Sequence, residues 1–226
     1  MLRPVLFSML SLIFTLLFGQ TALCFDFHED AVEFLQKLSE QNREIHTMSA
    51  SFTQVKRVAV LNRSLSSQGF FCLRKAEEQE AAAEKSQPRS DALLFSYTKP
   101  IATGFIFRDG HGNLWQGNPR KTFIARIPGQ SVVVAVAEHI FDCLRVQPVT
   151  LLANYTVSLL DRNGSALRLI PHRQTYFARI DAFFNRDDGS LRKMQLIEAN
   201  GDRVDITFQG VHVNDILPER CDNYLR

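Results

Sequence analysis

One tryptophan, four cysteines and no closely paired histidines stand in this chain of 226 residues, and each scarcity removes a class of function. The six histidines, His28, His46, His111, His139, His172 and His212, are scattered. None lies four residues from another, as two ligands on one helix face would, so no metal is expected. No serine occupies a Gly-x-Ser-x-Gly elbow, and no glycine-rich loop joins a strand to a helix as phosphate sites require. Asp109-Gly110-His111-Gly112 reads as a turn. With neither a nucleophile nor a metal site in the pattern, an enzyme is not expected, nor is a cofactor. Basic and acidic residues nearly balance, 26 against 24, without a long basic run. Nucleic acid is therefore not an expected partner, because phosphate recognition needs concentrated positive charge. The longest apolar stretch covers residues 5–18, about 14 residues, short of the roughly 20 a helix needs to span a bilayer.

That stretch follows a single positive charge, Arg3, and ends at Gly19-Gln20-Thr21-Ala22-Leu23-Cys24. The order is that of a secretory signal, with Ala22 and Cys24 as the small residues before the cut. Residues 1–24 are expected to be removed and residues 25–226 to form a single domain, long enough for one substantial core. A lipidated Cys24 is the competing outcome, and Leu23 disfavours it because the lipoprotein peptidase takes a small residue there. In an exported chain Cys72, Cys143 and Cys221 remain, room for one disulfide and one thiol, and their spacing does not choose the pair. Asn62, Asn154 and Asn163 open glycosylation sequons, relevant only in a eukaryotic secretory route.

What is abundant is phenylalanine, 18 residues, together with period-two alternation. Residues 29–46 carry Ala31, Phe34, Leu35, Leu38 and Ile45 at helical spacing, which predicts an amphipathic helix. Strands are predicted at 49–55, 67–73, 92–97, 104–108, 113–116 and 121–127, then at 155–160, 166–170, 177–184, 191–198 and 203–209. Asn163-Gly164, Asp188-Gly189 and Asn200-Gly201 mark tight hairpins in the second series. Residues 76–88 are charged, alanine-rich and without an apolar face, an exposed loop. Residues 131–144 read as a short buried helix. The fold class is α+β and mostly antiparallel β: about ten strands forming an incomplete, half-open barrel, with helices as a lid over its concave face.

Several of these pieces occur in a familiar order. The opening helix followed by Ser51-Phe52-Thr53-Gln54 resembles the start of the LolA family, periplasmic carriers of outer-membrane lipoproteins. Arg89, Leu93, Phe95 and Pro100 match that family's arginine, alternating apolar pair and proline. Asp109-Gly110 with Leu114-Trp115 is similar to its hairpin, and Leu167-x-Leu169-x-Pro171 follows its second half. Ser90 departs from it, where a proline commonly stands, as does the long 76–88 loop, and Ile216 to Asp222 matches the family's close only in part.

The resemblance implies a monomeric periplasmic shuttle that binds the acyl chains of lipoproteins in an apolar cavity. Its implied partners are acylated lipoproteins, an inner-membrane lipoprotein-releasing ABC transporter and an outer-membrane lipoprotein acceptor. The implied lipid-facing residues are Phe70 or its neighbour Phe71, Leu93, Phe95, Phe105, Phe107 and Trp115, with residues 133–141 as lid. Arg89 is implied as the lid contact, since guanidinium donors can hold helix-end carbonyls. Two other functions suit the same fold: the outer-membrane acceptor itself, anchored through Cys24, and an envelope module that senses lipid or lipoprotein. A secreted lipid hydrolase is disfavoured for want of a nucleophile.

Overall fold

The computed structural model describes residues 27–60, 63–76, 91–108, 111–117, 139–161 and 164–225. Helix α1 (Phe27–Arg43) precedes five strands, β1 (Thr47–Val58), β2 (Arg63–Arg74), β3 (Ala92–Lys99), β4 (Thr103–Arg108) and β5 (His111–Gln116). A helix whose described part is 139–145, here α2, and α3 (Pro148–Asn154) lead into the second five. These are β6 (Tyr155–Leu159), β7 (Ala166–Pro171), β8 (Phe177–Phe184), β9 (Leu191–Glu198) and β10 (Arg203–Val213), followed by α4 (Glu219–Leu225). The expected signal segment, residues 77–90 with Arg89, and the expected strand 121–127 lie outside the described residues, as does the 131–138 part of the expected helix.

All ten strands form one antiparallel sheet in the order β5-β4-β3-β2-β1-β10-β9-β8-β7-β6. Each half of the chain is a meander, and the two meet along a single ladder between β1 and β10. Among the described residues the sheet is open, with β5 and β6 its outermost strands, so the expected incomplete barrel is the observed architecture. The strands flanking each of the three turn pairs are antiparallel neighbours, β6 with β7, β8 with β9 and β9 with β10. Gly164, Gly189 and Gly201 have φ of 61°, 68° and 88°, the left-handed region that a side chain would disfavour.

Period-two alternation sends neighbouring residues to opposite faces, and the core divides accordingly. On the inner face, Phe52, Phe71, Leu73, Leu93, Phe95, Phe105, Phe107, Leu169, Ile180, Met194, Ile206 and Phe208 join one large cluster. Helix α1 adds Ala31, Leu35 and Leu38 to it, buried at helical spacing, and α2 adds Ile140, Phe141, Cys143 and Leu144. On the outer face lies a smaller cluster of Cys72, Ala92, Leu94 and Trp115, closed by Cys221 and Leu225 of α4.

Cys72 and Cys221 form the disulfide that spacing left open, 149 residues apart in sequence. Cys143 stays a buried thiol, its pKa pushed up by burial and its reactivity low. The α4 helix has no sequence signature, because its buried apolar residues are only Cys221 and Leu225.

Candidate functional site

The inner face is paved with rings. Phe95 on β3 is their hub: it stacks on Phe105 of β4 at 5.1 Å between centroids, and lies 5.1 Å from Phe71 and 5.3 Å from Phe52. Phe71 reaches across β1 to Phe208 at 5.2 Å, and Phe107 meets Phe141 of α2 at 5.7 Å. Cross-strand register dictates this layer, since Phe71, Phe95 and Phe105 face one another in adjoining ladders. Such aromatic pairs contribute roughly 0.5–1.5 kcal/mol each beyond their buried area.

Phe52 obtains its place from a glycine. A Cβ on Gly69, its partner in the β1–β2 ladder, would sit 2.8 Å from the Phe52 ring and 2.0 Å from the Ser96 carbonyl oxygen. Only glycine fits there. At the end of this layer Tyr97 meets Phe52 edge to face at 5.1 Å and donates its hydroxyl hydrogen to Gln54 Oε1 at 2.8 Å. Burial pushes the Tyr97 phenol up to about 12.

The cover over this face is fastened by polar contacts. The Arg145 guanidinium at the end of α2 pairs with the Asp91 carboxylate ahead of β3 and lies 4.5 Å above the Phe141 ring. Below it, the Tyr155 hydroxyl donates to Asp142 Oδ2 at 2.9 Å and contacts His139 Nδ1. Burial lowers the His139 pKa and raises that of Asp142, so the histidine is held neutral and the aspartate takes up a proton more readily than usual. Val146, wholly buried, follows α2 with φ of 48°. A β-branched residue is strained there, and it marks the joint between α2 and α3.

A polar cleft of about 1010 Å³ opens beside this joint, lined by Asn42, Arg43, His46, Lys75, Asp91 and Arg145 among others. Lys75 Nζ donates to the Asn42 carbonyl oxygen at 2.7 Å, satisfying the C-terminal end of α1. Burial lowers its pKa to about 8.

Leu93, Phe95, Phe105 and Phe107, read as lipid-facing from the resemblance, come together on this inner face. Phe70 and Trp115 do not. Phe70 packs against the outer cluster and Phe71 takes the inner position; Trp115 lies outside, stacked on Tyr224 of α4 at 5.5 Å. The reason is parity: Phe105 pairs with Leu114, so Trp115 points the other way and lies over Gly104. Arg89 lies outside the described residues, and the polar fastening visible here is Arg145 with Asp91, a pair far apart in sequence that no spacing announces. The ring layer on the concave face is closely packed where described, with Phe71, Leu93 and Phe95 fully buried. Among the described residues no three metal-ligating side chains converge.

An open antiparallel half-barrel with helices seated on an aromatic inner face defines the class of fold. Within that class the chain belongs to the family of the outer membrane lipoprotein carrier protein LolA, whose model matches residues 43–220. The family is one of carrier proteins, not enzymes. No curated protein matches the chain by sequence. Among solved structures, a DUF1329 family protein from Desulfovibrio piger is similar with a TM-score of 0.50 at 12% identity, over 89% of this chain and 98% of that one. MucB is similar with a TM-score of 0.51 at 16% identity, over 87% of this chain and 62% of MucB; a further structure holds MucB of Pseudomonas aeruginosa with MucA.

Proposed function

We propose that this protein is a periplasmic carrier that takes the acyl chains of lipoproteins against its inner face and shuttles them from the inner to the outer membrane. The observation that carries the reading is the continuous ring layer of Phe52, Phe71, Phe95, Phe105 and Phe107, met by α2 through Phe141, a helix whose one cysteine is a free thiol. Opening the cover would expose apolar surface for an acyl chain, and closing it would return the rings to one another. The physical need is large. At about 0.8 kcal/mol per buried methylene, an acyl chain of about 16 carbons resists water by roughly 12 kcal/mol.

Residues 1–24 would direct export and be removed, leaving residues 25–226 as one carrier domain. The Cys72–Cys221 disulfide suits an oxidising compartment. Cargo would come from an inner-membrane lipoprotein-releasing ABC transporter and pass to an outer-membrane acceptor. Leu93, Phe95, Phe105 and Phe107, joined by Phe71, would contact the acyl chains, and the helices α1 and α2 would move.

Gel filtration of the purified protein with a diacylated lipopeptide, without detergent, tests this. The expected result is a soluble complex, while the same peptide lacking its acyl chains stays free. No complex with the acylated peptide, or equal binding of both peptides, would overturn the reading.

A further inference from the structure

The two ends of the sheet differ in a way that acyl-chain binding does not require. At one end lie the turn after β1, the β3–β4 turn, the β9–β10 turn and the approach to β8. Their neighbourhood follows from contacts: Arg57 pairs with Arg203 in the β1–β10 ladder, the Ala59 amide donates to Asp202 Oδ1, Gln68 faces Lys99, and the Ala199 amide donates to the Tyr176 carbonyl oxygen. Large apolar side chains stand in water here: Val60 is 89% exposed, Leu65 59% and Ile101 58%.

Charge at this end has one sign on the surface. Among the described residues of these turns the exposed charged side chains are Arg57, Arg63, Lys99 and Arg173, all basic. The carboxylates present are paired: Glu198 and Asp202, both buried, with Lys56 at 2.7 and 3.3 Å, and Asp205 with Arg203 at 2.9 Å and Arg57 at 4.0 Å. At the opposite end of the same strands exposed charge is of both signs, Glu44, Asp187, Asp188 and Asp215 together with Arg43 and Arg186.

Apolar tips ringed by exposed basic side chains have the composition of a peripheral contact with an anionic bilayer. The tips enter the headgroup boundary, and lysine and arginine meet the lipid phosphates. Isolated exposed hydrophobics are ordinary. Two on neighbouring turns with a third at the start of β2, where every exposed charge among the described residues is basic, are not.

We propose that this turn-bearing end, through Val60, Leu65 and Ile101 with Arg57, Arg63 and Lys99, docks reversibly on the surface of an anionic phospholipid bilayer. The inference does not rest on the carrier reading, because it uses no residue of the inner face. Docking would set the half-barrel on end, with its strands rising from the membrane.

Flotation of the purified protein with cargo-free vesicles tests it. The protein is expected to rise with phosphatidylethanolamine vesicles containing phosphatidylglycerol, less so at high salt, and to stay behind with phosphatidylcholine alone. Arg63→Gln with Lys99→Gln should lower partitioning about 25-fold, roughly fivefold for each charge removed. Val60→Ser with Ile101→Ser should lower it at any salt. Ile216→Ser, 98% exposed beyond β10, should change nothing, and all these surface variants should melt with the parent. No flotation with phosphatidylglycerol, equal flotation with phosphatidylcholine, or flotation untouched by both double variants would overturn the proposal. Each of those results leaves lipopeptide binding to be judged separately.

Discussion

The inner and outer faces of the sheet are each covered by helix, and the two covers are fastened differently. On the outer face α4 is stapled by the Cys72–Cys221 disulfide. Its last carbonyls are held as well: Arg108 donates to the Tyr224 carbonyl oxygen at 2.9 Å and Arg74 to that of Leu225. Trp115 lies flat on Tyr224, 8° from parallel. On the inner face α1 and α2 rest on apolar contact, with the Arg145–Asp91 pair and the His139–Tyr155–Asp142 cluster as polar ties. A covalent clamp on one side and reversible contacts on the other assign the two covers different work. On the carrier reading proposed above, the outer helix would be architecture and the inner helices the part that moves.

Three substitutions can break or sharpen that contrast. The largest effect is expected for Phe95→Ala, which empties the hub of the ring layer. A loss of about 4 kcal/mol in denaturant unfolding is expected for so large a buried truncation, with the disulfide intact. Next comes Cys72→Ser with Cys221→Ser. It frees α4 and should cost about 3 kcal/mol, while lipopeptide uptake stays as in the parent; a change in uptake would mean that the outer cover also takes part in opening.

The smallest effect on stability belongs to Arg145→Gln. The guanidinium is 40% exposed, so solvent screens the pair and its loss should cost under about 1 kcal/mol. Uptake should nevertheless quicken severalfold in stopped-flow fluorescence, because one tie of the inner cover is gone. Unchanged uptake would remove Arg145 from the gating of that cover.

Much of this architecture was legible because it is local. Alternation located the described strands, and glycine after asparagine or aspartate marked three hairpins. What alternation could not settle was parity within apolar doublets. Phe70-Phe71 and Leu114-Trp115 each offer two apolar side chains, and only the ladder register decides which one faces inward. Ladder register depends on neighbours far along the chain. The same distance hid the Arg145–Asp91 pair and the choice of disulfide. It also hid α4, which holds its place through a covalent bond and two arginines at its carbonyl end rather than through an apolar stripe of its own.

The place of β1 in the sheet bears on how the molecule is made. Its ladder with β2 is a hairpin and can form at once. Its ladder with β10 must wait for residues near the far end of the chain, as must the disulfide that spans 149 residues. Pairings of this kind are slow, because the entropy of closing a long loop is lost before the contacts repay it. Until then β1 carries a bare strand edge, open to mispairing with other chains. Lys56 and Arg57, near the end of that edge, are the kind of charged residue that keeps such an edge from recruiting the wrong strand. In the finished protein the same two side chains pair with the carboxylates of the last hairpin, Lys56 with Glu198 and Asp202 and Arg57 with Asp205. The charged groups of that edge thus become part of the seam that joins the two meanders.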